Sequence, residues 1–539
     1  MSFLRANLEA LARVDPELVA RLGWPVDDRH VTSDAAGALH YQVQQTRHRL
    51  EPGPDALAGA IAAAPDGGAL FAFGVGGGEL IAALLAARPG ATVTAWDRDP
   101  WLLRLALQRH DWTQAIAAGR LRLRLGSDLL ALAAGDPSLV ARAVFHPLLG
   151  AVYRHERRLL EAESAGRPLV ALAAGGLFVD DVADALRGEG YAVFTLDLHR
   201  LSQEELDRSL RTLRPAFIAA VNYTDGLAEF AAGHGCPLCV WEVDPATSAL
   251  PPCRGPTDGA HVFTYRRANV DEFRAAGFRN VTYLPLGADP RKRAPVALSA
   301  AERARYGAPV SFVGSSLVPQ MEGFRRAFVA ALASPDAEAV MRDVLAEQRR
   351  DLGRYSVPAL LAARRPDLAA AGPRRVEQLA RLLAEIAAAD KRAAAVARLG
   401  RHGIAVWGDD GWRAAPDVGP LYRGPAGHAV ELTKIYNASL VNLDVGRLYQ
   451  SDIVTMRVFD VLACGAFVLA EHSDALAELF EVGSEIDSYR SFDEMEAKVA
   501  HYLAHPEAAW AIAARGRQAV LARHTIAARV RAMLAGVRR

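Results

Sequence analysis

Lysine is scarce in this chain. Only Lys292, Lys391, Lys434 and Lys498 stand among 62 basic residues, and the rest are arginine. Together with abundant alanine, that skew looks like base composition, so an arginine here argues more weakly than usual for a phosphate site. Net charge is missing too: Lys+Arg and Asp+Glu each number 62, so no overall field draws the molecule to nucleic acid or an anionic membrane. Four cysteines in 539 residues supply no disulfide framework. Cys236 and Cys239 form a C-P-L-C pair with His234 and Cys253 nearby, but Cys239 falls within the buried-strand pattern PLCVWEV. No second pair completes a site, so packing is preferred to a metal or redox role. No run approaches 18 uninterrupted apolar residues, and residues 69–87 contain four glycines and Glu79, so no membrane-spanning segment is expected. The amino terminus lacks the basic stretch and apolar core of a signal peptide. The expectation is a reduced, cytoplasmic protein.

What is present is core. Hydrophobic residues make up 51% and charged residues 23%, which excludes a disordered scaffold, and ~150 residues per domain implies three or four domains. Apolar strands alternate with helices through most of the chain, the pattern of parallel sheets covered on both faces. The reading is α/β throughout. Residues 1–150 form a mostly helical cap (1–55) and a Rossmann-like doubly wound domain, whose last strand is LVARAVF. A charged linker helix spans 151–167. Two facing Rossmann-like domains follow, 168–295 and 296–539, the second with a helical insertion at 320–400 that shows no chemistry.

In the first domain Gly74, Gly76 and Gly78 follow a strand and open a helix, and Asp97 ends the next strand. This resembles the nucleotide turn of S-adenosylmethionine-dependent methyltransferases, which would put Asp97 on the ribose and Asp128 near the adenine. Ala72 stands where an acidic residue often precedes the turn, and Phe145-His146-Pro147 lacks the amide or acid that holds a methyl acceptor. A remnant fold used for docking is preferred, and His146 reads as a turn histidine. Residues 1–150 also resemble the amino-terminal region of motility-associated factor (Maf) proteins. They share an N-L-x-A-L helix, an H-x-x-x-P-x-x-x-A approach and the glycine turn. That resemblance implies protein glycosylation, with flagellin as an acceptor.

The densest signal lies at Glu431–Glu485. E-L-x-x-x-Y-N-x-S, R-V-F-D-x-x-A-C-G and L-x-E-L-F-E-x-G-x-E are followed by Y-L-x-H-P. Earlier come W-E-V-D-P (Trp241–Pro245), V-F-T-Y (Val262–Tyr265) and A-G-F-x-N-V-x-Y-L-P-L-G-A-D (Ala276–Asp289). In this order, over about residues 168–530, they resemble the GT-B glycosyltransferases grouped with the spore-maturation protein CgeB. The resemblance implies a sugar nucleotide donor and retention of anomeric configuration.

Side-chain chemistry supplies candidates. Thr455 is placed to cap the helix beginning at Met456, turning free amides to the cleft. Arg457 can add a forked contact to phosphate. The turn Gly314-Ser315-Ser316 lets backbone approach an anion, and Asp460 is placed for ribose hydroxyls. Retaining GT-B enzymes often carry two glutamates at the spacing of Asp452 and Asp460, which would put Asp452 near the transferred sugar. Both positions are shorter here by a methylene, leaving Asp452 the less secure. Asp244, ending a strand, can orient or deprotonate an acceptor hydroxyl, or cap the turn at Pro245. Asn222 and Tyr223 share that uncertainty, and Tyr422 and Gly424 can flank the nucleotide base. Asp409-Asp410 lacks Asp-x-Asp spacing, so no metal is expected, and no cofactor beyond the donor is required. The expected activity is sugar transfer to a hydroxyl acceptor. Its rivals are a methyltransferase, alone or fused to a glycosyltransferase, and a non-catalytic partner with a decayed GT-B half, for which the Asp-for-Glu changes are the only support.

Overall fold

The computed structural model describes residues 2–538 except 44–45, 67, 162–163, 165, 245–249, 371, 416 and 451. Three parallel sheets follow one another. The first has strand order Leu121–Leu125, Thr92–Asp97, Ala69–Phe73, Ala143–Phe145. Its central strands are apolar on both faces because helices such as Glu79–Ala87 and Pro100–Arg109 cover them. Pro100 in the first turn and the Asp99 carboxylate, which accepts from the Trp101 amide at 2.9 Å, start the second of these helices.

Part of the cap departs from the helical expectation. After helices Leu4–Ala12 and Pro16–Leu22 comes an antiparallel sheet of Val31–Ser33, Leu39–Val43 and Thr46–Arg49. Asp34 accepts the Ala36 and Ala38 amides at 2.9 Å, and Gly37 adopts φ +83°, so this turn folds the chain back. The outer strand Thr46–Arg49 is wholly exposed and polar, which hid its period. The expected strand LVARAVF also divides. Asp136 caps a short helix, Pro137–Val140, and only Ala143–Phe145 is strand. The expected linker helix is two short helices, Leu149–Val152 and Arg154–Leu159.

The middle sheet runs Asn280–Tyr283, Ala260–Thr264, Leu238–Glu242, Phe217–Val221, Leu169–Ala173, Ala192–Leu196. The carboxy sheet runs Tyr422–Gly424, Ile404–Trp407, Ala308–Val313, Ser439–Leu443, Val468–Glu471, Asp487–Tyr489. The order of the carboxy sheet reverses between Ala308–Val313 and Ser439–Leu443, where an open α/β sheet leaves a crevice at its strand ends. The α/β class and the two facing Rossmann-like lobes are as expected. One boundary moves: the last helix, Ile526–Val537, crosses back onto the middle lobe. There Thr525 bridges Ala288, and Arg529 donates to the Leu286 carbonyl at 2.9 and 3.1 Å. The insertion is a helical layer with its own core, including Phe328, Val344, Leu361 and Leu383. Among the described residues no helix is long and apolar enough to cross a membrane.

Helix Pro506–Arg523 packs against helix Met456–Ala463. A Cβ on Gly516 would lie 2.3 Å from the Glu485 carbonyl oxygen and 2.6 Å from Leu462 Cδ2. In an open helix Gly→Ala stabilises by about 1 kcal/mol. Here the contact reverses the sign: Gly516→Ala should lower the melting temperature, and a rise in thermal unfolding measurements would contradict this packing.

Candidate functional site

The carboxy crevice is built around an ion pair. Strand Ser439–Leu443 ends at Asp444, which is 4% exposed. Its Oδ1 accepts from Arg457 Nη1 and, at 2.8 Å, from the Thr455 hydroxyl. Arg457 Nε donates to the Val313 carbonyl at 2.8 Å, and its guanidinium lies 4.9 Å from the Phe312 ring centroid. Gly314 follows directly, and a Cβ there would stand 2.8 Å from Arg457 Nη2. Bare glycine leaves this approach unobstructed, whereas a Cβ would press on Arg457 and Phe312. Thr455 does occupy the position before helix Met456–Ala463, with extended backbone. Its side chain does not cap that helix, because the hydroxyl is committed to Asp444.

The turn after Gly314 already holds an anion. Asp409 accepts from the Ser315 hydroxyl at 2.6 Å, the Ser316 amide at 2.8 Å and the Ser316 hydroxyl. Ser315 and Ser316 therefore face an internal carboxylate rather than an open phosphate site, which corrects the expectation for this turn. Tyr422 donates to the Gly408 carbonyl at 3.0 Å and to Asp410 at 3.2 Å, at the edge strand. Gly424 has φ +117° and accepts the Gly408 amide at 3.1 Å.

Two other carboxylates are corrected as well. Asp460 is 4% exposed, and its Oδ2 pairs with Arg293 Nε at 2.9 Å. It is turned inward to the segment joining the lobes rather than offered to a ribose. Asp452 takes Arg266 Nε of the middle lobe at 2.9 and 3.0 Å, while Arg266 also donates to the Tyr449 carbonyl at 3.2 Å. Asp452 clasps the two lobes together.

The insertion, expected to be chemically silent, reaches the crevice. Its long helix Pro373–Arg398 carries Glu385, Lys391 and Arg392. Glu385 accepts from Arg447 at 3.0 Å and from the Tyr449 hydroxyl. Lys391 is 3% accessible in its side chain and pairs with Glu471 at 2.5 Å, and Glu471 also accepts the Gly446 amide at 3.1 Å. Arg392 donates to the Ser315 carbonyl at 2.7 Å. These partners lie far apart in the chain, and nothing in an Ala/Arg-rich helix marks them out.

On the facing lobe Asp244 is exposed at the end of its strand. Asn222, at φ +65°, donates to its Oδ2 at 2.8 Å and accepts the Val243 and Asp244 amides at 2.8 and 3.2 Å. Pro245 lies outside the described residues. Glu242 was missed: it is 6% exposed, accepts the Tyr223 amide, and burial pushes its carboxyl up to about 7, with Asp244 adding to the shift. A carboxylate closing an otherwise apolar strand, LCVWE, was the available signal. The Tyr265 hydroxyl is buried with no hydrogen-bond partner among the described residues, and burial raises its pKa.

The amino-terminal glycine turn is filled from within. Asp97 is fully buried, accepts the Val75 amide at 2.7 Å and the Tyr153 hydroxyl at 2.8 Å, and is pushed up to about 6 by burial. A Cβ on Gly76 would lie 2.4 Å from His146 Nε2, and burial lowers that imidazole to about 4. Cβ atoms on Gly74 and Gly78 would meet Leu149 at 2.8 Å and His110 at 2.5 Å. Asp128 is bound by Arg21 at 2.7 Å. The nucleotide role for Gly74, Gly76, Gly78 and Asp97 is therefore corrected: side chains of the fold itself occupy the turn, and no S-adenosylmethionine site is supported. Cys236, Cys239, Cys253 and Cys464 are free thiols, with Cys239 and Cys464 buried.

Residues 391–535 match the family model described as glycosyl transferase-like. That match lies within the carboxy lobe and makes residues 391–535 a glycosyltransferase-like domain. Among solved structures, sucrose-phosphate synthase from Thermosynechococcus elongatus is 13% identical, covers 69% of this chain and 98% of its own, and gives a TM-score of 0.42. HepE from Anabaena, in complex with UDP and glucose, is 14% identical over 77% of this chain and 96% of its own, with a TM-score of 0.35. A MAf glycosyltransferase from Magnetospirillum magneticum is 15% identical over 54% of this chain and 57% of its own, with a TM-score of 0.21. No curated protein matches the sequence.

The Glu242 proton has a measurable consequence. The folded carboxyl keeps its proton to about 7, whereas an unfolded one releases it near ~4.3. Stability therefore falls as pH rises through that window and stays lowered above it. Glu242→Gln retains an acceptor for Tyr223 and removes the titration. It should stabilise the protein at pH 8 relative to wild type, by at most about 4 kcal/mol, seen as a higher melting temperature, and leave the stability unchanged at pH 4. An equal shift at both pH values would contradict a buried proton.

Proposed function

We propose that the protein transfers a sugar from a nucleoside-diphosphate sugar to a hydroxyl group, with the donor diphosphate seated in the crevice of the carboxy lobe. One observation carries this reading: Arg457, braced by Asp444, Val313 and Phe312, stands beside bare Gly314 where the strand order reverses. The helix beginning at Met456 has no side-chain cap, so its first turn adds amide donors to the same place. In the reaction the bond from the sugar's anomeric carbon to the phosphate oxygen breaks, a bond to the acceptor oxygen forms, and the diphosphate leaves with its added charge. A guanidinium and helix amides aimed at that charge supply the electrostatic stabilisation such a step needs.

Asp244 is the group we assign to the acceptor hydroxyl and its proton, since Asn222 presents it from the opposite lobe. The resemblance to CgeB-type enzymes supports retention of anomeric configuration. The Maf-like order of features in residues 1–150 supports a protein acceptor in the cytoplasm, flagellin among the candidates. The amino-terminal lobe then serves as a docking platform; Arg98 ties it to the middle lobe through Thr195 at 2.6 Å and Glu156 at 3.2 Å.

The test is a panel of sugar nucleotides scored by thermal shift and by donor hydrolysis. The correct donor should raise the melting temperature by mass action. Losing a charge-assisted contact costs roughly 1.5–3 kcal/mol, so Arg457→Ala should weaken donor binding about 10- to 100-fold. Wild-type turnover in Arg457→Ala, or no binding of any sugar nucleotide by the wild type, would overturn the proposal.

A further inference from the structure

We propose that the helical insertion is part of the donor site and that Arg392 is a diphosphate-binding residue. This deepens the donor-site reading above and rests on it.

The argument is one of charge and valence. Arg392 Nη1 donates to a neutral carbonyl, Ser315 O, at 2.7 Å. Its Nε is shut off from solvent and has no acceptor among the described residues. Burial lowers its pKa, and the like charges of Arg457 and Arg447 lower it further against the opposing pull of Asp444 and Glu385. Both carboxylates are already bonded elsewhere. Asp444 holds Arg457 and Thr455, and Glu385 holds Arg447 at 3.0 Å together with Tyr449. Arg457 and Arg447 thus each have a carboxylate, and Arg392 has none of its own among the described residues. A part-buried cation left without a carboxylate of its own is stabilised when an anion pairs with it. A diphosphate brings the charge required and enough oxygens to accept from Arg392 Nη2, which has no partner among the described residues, and from the second fork of Arg457.

The surroundings hold Arg392 in place without consuming it. Lys391, its neighbour, is tied to Glu471 at 2.5 Å, and Glu471 to the Gly446 amide at 3.1 Å. Asp409 fixes the Ser315–Ser316 turn on which Arg392 rests. Genomic arginine bias accounts for exposed residues such as Arg326, whose side chain is 78% accessible. It does not account for an arginine that rests on the Ser315 carbonyl beside a strand-order reversal with no carboxylate of its own.

The experiment is calorimetric titration of the full chain with inorganic pyrophosphate, UDP and GDP. Arg392→Ala should weaken pyrophosphate at least 10-fold, Arg392→Lys should fall between it and wild type, and Arg326→Ala should match wild type. Arg392→Lys keeps the charge and decides the matter should the alanine variant not fold. A residue that merely supports the fold would lower the melting temperature and leave the dissociation constant unchanged; that outcome overturns this inference. Wild-type affinity in the Arg392 variants with loss in Arg457→Ala would remove Arg392 from the site and leave the donor reading standing. Absence of binding of all three probes by the wild type would sink both.

Discussion

The pairing of Arg457 with Asp444 is the interaction on which the crevice depends. Both side chains are largely buried, and removing either would strand an unpaired charge there. Around that pair the ends of two strands come into register. Val313 accepts from Arg457, Tyr489 donates to the Asp444 carbonyl at 2.9 Å, and Thr455 donates to the Asp444 carboxylate. At Gly314 the guanidinium takes up space into which a side chain would otherwise press. The result is a cation held ready at a reversal of strand order, with an uncapped helix start next to it.

The same economy of charge runs through the molecule. Asp409, Asp452 and Asp460 all lie near the crevice, yet each neutralises or orients something internal: a turn, an arginine across the cleft and an arginine from the segment joining the lobes. Acidic groups there preorganise donors, and preorganised donors are what stabilise a leaving diphosphate. The clasp of Arg266 on Asp452 and the return of helix Ile526–Val537 to the middle lobe also set how far the two lobes can part.

Much of this was legible beforehand. Strand–helix alternation disclosed the α/β class, because parallel strands buried on both faces must be apolar throughout. The motifs around Arg457 marked the carboxy lobe, and Gly314 marked the turn facing it. Less legible were the antiparallel strands of residues 31–49, since a solvent-exposed edge carries no hydrophobic period. Glu242 escaped notice beside the more exposed Asp244, and the insertion's Arg392 was lost among arginines that composition alone explains.

The amino-acid order by itself determined which segments become strands and helices, and so where the glycine turns and strand ends fall. Those depend on local propensity and on short-range apolar pattern. Which carboxylate meets which arginine was decided only by tertiary structure. Asp409 fills the Ser315–Ser316 turn, Asp97 and His146 fill the glycine turn, and Arg392 is left without an acid. Ion pairing is set by distance in space, and partners separated by scores of residues leave no trace in sequence spacing.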